Sequence, residues 1–170
     1  MPEPNVYELP YFGELDLTDL GDYYDTEIEF NGRLVQLDLN FDDRETTIDK
    51  LDAIKDFLGK LKQQDQRNKG YIRTDYEEVL YEDSVHFYLN FHLEEIGEEE
   101  LIGLVGPGDE DLPVEEQLLD KIELVRIGFY PDEDGFFAIC DYSFGREITN
   151  YILVISVNKK GELLDMTVES

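Results

Sequence analysis

Bases, cysteine, histidine and tryptophan are the scarce residues of this chain. Fourteen lysines and arginines stand against 42 aspartates and glutamates, a formal charge of −28, and tryptophan is absent. Such a surface repels phosphate backbones, so no nucleic-acid partner is expected. A single cysteine, Cys140, excludes an internal disulfide, and its place in an apolar run reads as a small buried hydrophobe. The two histidines are His86 and His92. Six residues apart on a helix, they point about 240° from each other and cannot share a metal. No run approaches the ~20 apolar residues of a membrane helix. The first twenty residues have no basic n-region, so no secretory signal or membrane association is expected and the cytoplasm is the expected location.

Signatures of chemistry are missing as well. Neither G-x-S-x-G nor a glycine-rich phosphate loop occurs, and Ser84 near His86 reads as a helix-start serine. Asp132 and Asp134 in PDEDG begin like a calcium loop, but glycine comes fourth where an EF-hand needs it sixth, so a turn is the better reading. The threefold series Asp16, Asp19, Asp22, Asp25 would gather carboxylates only on a helix, which Gly21 and the adjoining strand disfavour. No enzyme, metal or cofactor is expected from these residues. A hydrolase or cation-binding protein would need a cleft in which carboxylates converge.

What the chain does have is strand pattern at both ends. In DTEIEFNGRLVQLDLNF, Asn31-Gly32 is a hairpin dipeptide between alternating runs; Val35, Leu37, Leu39 and Phe41 point to one face, while Gln36, Asp38 and Asn40 point to a mostly wet one. From Lys121 to Val168, apolar runs separated by turns predict an antiparallel meander. A short strand is expected near Phe12–Leu17. Among the tyrosines Tyr7, Tyr11, Tyr23 and Tyr24, interface and core packing are both open readings.

Between the ends the period changes. Ile48, Leu51, Ile54, Leu58 and Leu61 predict a four-turn helix capped by Thr46 or Thr47, with Asp52–Lys55 and Asp56–Lys60 pairs on its surface. A weaker helix is expected over 66–80, with Gly70 inside it. SVHFYLNFHLEEI fits a strand or a helix, and the helix is preferred because Ser84 can cap it and Glu94-Glu95-Ile96 continues it. The stretch 98–113 is acidic and holds the loop GPGDEDLP, followed by a short helix opened by Pro113. The fold expected is α+β in one domain, 1–170: an antiparallel sheet made of the N-terminal hairpin and the C-terminal meander, with a helical middle packed on one face.

Charge is segregated along this middle. Lys50–Arg73 carries seven bases against three acids, whereas Thr74–Glu116 carries fifteen acids and no base. A solubilising surface is one reading. The other is a face for a basic protein, centred on Glu94, Glu95, Glu98, Glu99, Glu100, Asp109, Glu110 and Asp111. A homodimer or scaffold, with the basic segment of one copy on the acidic segment of another, is the alternative.

The segments YFGELDLTDLGDYYDTEIEFNGRLVQLDLNF and KIELVRIGFYPDEDGFFAICDYSFGREITNYILVISVNKKGELLDMTVES resemble the bacterial family catalogued as domain of unknown function two-thousand-and-four. The order of hairpin, helical middle, Asp-Tyr strand and terminal Met-x-x-Glu-Ser is similar too. The resemblance implies a small cytoplasmic bacterial protein without assigned chemistry, and carries no site residues. More loosely, the chain is similar to immunity proteins that neutralise polymorphic toxins.

Overall fold

The computed structural model describes residues 5–170, so the first four residues of the opening segment lie outside it. Strands β1 (Val6–Leu9) and β2 (Gly13–Asp16) form a separate antiparallel ribbon. The second is the expected short strand; the first carried too brief a pattern to be read. Strands β3 (Tyr23–Phe30) and β4 (Arg33–Asn40) pair antiparallel through the Asn31-Gly32 turn. Both turn residues are left-handed, φ 51° and 79°, which glycine tolerates without strain and asparagine more readily than most.

Five helices follow: α1 (Ile48–Leu58), α2 (Leu61–Glu78), α3 (Ser84–Ile96), α4 (Glu98–Val105) and α5 (Val114–Leu119). Strands β5 (Glu123–Phe129), β6 (Ala138–Ser143), β7 (Ile152–Val157) and β8 (Leu163–Glu169) complete a six-stranded sheet in the order β3-β4-β5-β6-β7-β8. The fold is α+β, with sheets that are antiparallel except for the β4–β5 pair. That pair is parallel because the helical segment is a crossover, returning the chain to the end of the sheet where β4 began.

The middle differs from expectation in three places. The four-turn helix ends at Leu58; Gly59 caps it and a second helix starts at Leu61, five residues before the expected one. Thr47 caps α1 by accepting from the Lys50 N–H at 3.2 Å. Residues 84–96 are helical, as preferred, and 98–105, where no element was expected, form a further helix that ends at the expected GPGDEDLP loop. Leu101, fully buried, anchors α4 to the core, and its three leading glutamates suit the positive end of a helix.

One face of the sheet meets the helices. Val35, Leu37, Leu39, Ile127, Phe129, Cys140, Tyr142, Leu153, Ile155 and Met166 share a single apolar cluster with Leu51, Ile54, Phe57, Val85, Tyr88 and Leu89 from the helices. Phe57 of α1 lies edge-on to Phe129, ring centres 5.4 Å apart. No described helix is long and apolar enough to cross a membrane.

Candidate functional site

Helix α2 presents an unusual face to the sheet. Gln64, Asp65, Asn68, Ile72 and Asp75 are its buried residues after Leu61, so a mostly polar stripe is sealed inside. Burial of polar groups is tolerated only with partners. The Tyr142 hydroxyl donates to Asp65 Oδ1 at 2.7 Å, Gln64 Nε2 donates to Asn68 Oδ1 at 2.9 Å, and Lys69 bridges Asp65 to Glu123. Burial pushes the Cys140 thiol up to about 12, so it carries no thiolate near neutrality. Asp75, fully buried, accepts from the N–H groups of Leu80, Tyr81 and Val85, and thereby ties the end of α2 to the start of α3.

A second buried cluster lies on the face of the sheet away from the helices. The Arg126 guanidinium donates to both oxygens of Asp38, 2.7 and 2.8 Å, to Asp141 Oδ2 at 3.3 Å and to the Tyr130 hydroxyl at 2.8 Å. Asp38 is fully buried, so the face expected to be mostly wet is dry at its centre. Burial alone would weaken the guanidinium's hold on its proton, but the bonds to Asp38 and Tyr130 and the charges of Asp38 and Asp141 reverse this and raise it. Gly128 makes room: a Cβ there would overlap the Arg126 guanidinium and come within 2.9 Å of Asp38 Oδ2. Asp141 Oδ1 is buried with no partner, and burial, opposed by Arg126, raises the carboxyl. The signals available were an arginine and a glycine two apart in VRIGF, and an aspartate inside LVQLDLNF.

Both histidines are engaged. His92 is buried, its Nδ1 2.7 Å from the Tyr88 carbonyl and its Nε2 2.8 Å from Thr149 Oγ1, among the rings of Tyr88, Phe91, Phe144 and Tyr151. The carbonyl can only accept, so Nδ1 carries the proton and Nε2 accepts from the threonine. His86 stacks on Tyr76 and bonds its carbonyl at 2.7 Å. Asp132 takes the Asp42 N–H at 2.7 Å and Lys50 at 2.6 Å, which makes it a tie between loops. Among the described residues, no group of three or more His, Cys, Asp or Glu is placed to hold a metal. Two hollows of about 420 and 430 Å³ are surface grooves; one is lined by Arg33, Gln36 and Arg146, the other by Glu8, Tyr11 and Lys55.

The eight acids singled out from the sequence are all exposed. Glu94 and Glu95 stand in the last turn of α3, Glu98–Glu100 in the first turn of α4, and Asp109, Glu110 and Asp111 in the loop to α5. Asp109 accepts the Asp111 N–H at 3.0 Å, which shapes that loop. Glu94 and Glu95 face the negative end of α3, where no base accompanies them; each such charge costs about 0.3–1 kcal/mol. None of the eight joins an ion pair among the described residues.

The basic segment is differently placed. Lys50 pairs with Asp132, Lys60 with Asp56, Lys69 with Asp65 and Glu123, and Arg73 with Glu77 and Asp120. The expected Asp52–Lys55 pair gives way to other contacts. Asp52 accepts from the Tyr7 hydroxyl at 2.6 Å, and Lys55 lies over the Tyr7 ring. Tyr7 and Tyr24 are half-buried, while Tyr11 and Tyr23 are exposed.

No family model matches this chain, and neither does any curated protein or any solved structure.

Proposed function

We propose that this chain is a non-enzymatic binding protein that engages a basic protein partner through the carboxylates of α3, α4 and the loop before α5. One observation supports the reading above others. Eight exposed acids, Glu94 to Asp111, join no ion pair among the described residues, while four of the seven bases in the neighbouring basic segment are already paired with other acids. Unpaired charge of one sign on a surface steers an oppositely charged partner and makes its capture depend on salt. The loose sequence resemblance to immunity proteins would make a toxin domain one such partner. The scaffold alternative would set α1 and α2 of one copy on α4 of another, and would compete with the Lys50–Asp132 and Lys69–Glu123 pairs, each 2.6 Å long. The test is affinity capture from the native host at low ionic strength. A basic protein retained at low salt and released at high salt is the expected result; no basic protein at low salt contradicts the reading.

A further inference from the structure

We propose that the outer edge of β3 receives an extended basic segment of the partner as a seventh strand of the sheet. This rests on the reading of a basic partner and adds how that partner is held. β3 is an edge strand of eight residues, Tyr23–Phe30, hydrogen-bonded among the described residues to β4 alone. It contains no proline, and its register with β4 runs without a bulge. Alternate N–H and C=O groups therefore point outward in a regular row, the template on which an added strand pairs.

The opposite edge is guarded. The β7–β8 register shifts between Ser156 and Val157, and the Met166 carbonyl of β8 accepts the Ser84 hydroxyl from α3 at 3.1 Å. Bulges and covering groups are the usual means of blunting an edge. β3 has neither.

The side chains of β3 specify the added strand. On the helix side, Tyr24, Ile28 and Phe30 are only half-buried, whereas Leu39 and Val35, opposite Tyr24 and Ile28 on β4, are fully buried. Apolar residues of a further strand would close them. On the other side Asp25, Glu27 and Glu29 are exposed and join no ion pair among the described residues. Lysine or arginine at alternate positions of the added strand would stand directly opposite them. A second copy of β3 would bring three acids against three, so the edge refuses itself and accepts a basic strand.

The experiment is amide hydrogen exchange on the full chain with an eight-residue peptide alternating lysine and valine, and with the same peptide N-methylated at alternate backbone amides. The expected result is at least tenfold slower exchange at alternate residues of 23–30 with the first peptide and no change with the second. Asp25→Lys, Glu27→Lys and Glu29→Lys together should abolish the protection while leaving the melting temperature of this exposed row near wild type. Equal effects of both peptides, protection confined to 94–111, or no protection would overturn the inference. Those results leave the reading of a basic partner standing, because host capture tests it separately.

Discussion

Arg126 shows how one side chain decides what its neighbours can be. It is the cation between two buried carboxylates, Asp38 and Asp141, and it crosses the bare backbone of Gly128 to reach the first. Arg126→Met is expected to cost about 3–5 kcal/mol in urea unfolding, because both acids lose their counter-charge. Asp141→Asn should behave oppositely. A carboxyl raised by burial stabilises the fold below its ordinary pKa of about 4 and loses that contribution as pH climbs through the raised value. The asparagine variant should therefore match or exceed wild type at pH 7 and lose that advantage under acid conditions. A large loss at pH 7 would show that the Arg126–Asp141 contact outweighs burial. His92 has the reverse sign. Burial holds it below its ordinary value of about 6.5, so its contribution is complete above pH 6.5 and falls as acid protonates the unfolded chain. His92→Asn, which can keep the bond to the Tyr88 carbonyl, should lower stability at pH 7.5 yet flatten its slope between pH 6.5 and 5.5; parallel wild-type and variant curves would contradict this.

At the scale of elements, the strands were the legible part and the helix boundaries were not. Alternation and the Asn31-Gly32 dipeptide point to β3 and β4 directly, since a period of two and a turn with two positive φ angles leave few alternatives. The start of helix α2 was misplaced because its buried stripe is polar: periodicity searches look for leucine, and here Gln64, Asp65, Asn68 and Asp75 face inward. Helix α4 was hidden by its three glutamates, which leave no apolar period to read until Leu101 is seen to be buried. The α2–α3 junction carries strain no pattern reveals. Val79, Glu82 and Asp83 all have positive φ, and Val79 is β-branched and half-exposed at φ 54°. Such a conformation costs roughly 1–2 kcal/mol. Val79→Gly is expected to raise stability by about 0.5–1 kcal/mol in denaturant titration, since relief of strain exceeds the added chain entropy. A destabilised variant would mean that the valine's packing outweighs the strain.

For the whole molecule, composition made the sign of the surface plain before any fold was known. It did not say which acids were free. That required seeing Asp38, Asp65, Asp75 and Asp141 drawn inside by their partners, while Glu94 to Asp111 stayed outside and joined no ion pair among the described residues. This row of exposed acids and, separately, the edge of β3 are the surfaces proposed to meet a partner. Glu94 and Glu95 oppose the α3 dipole, and Glu98, Glu99 and Glu100 favour that of α4. Replacing all five by glutamine should therefore leave stability within about 1 kcal/mol of wild type. Capture from the native host at low ionic strength, run side by side on wild type and on this five-glutamine variant, is the most direct measurement. The account predicts a basic protein held by the first and missing from the second; the same protein held equally by both would contradict it.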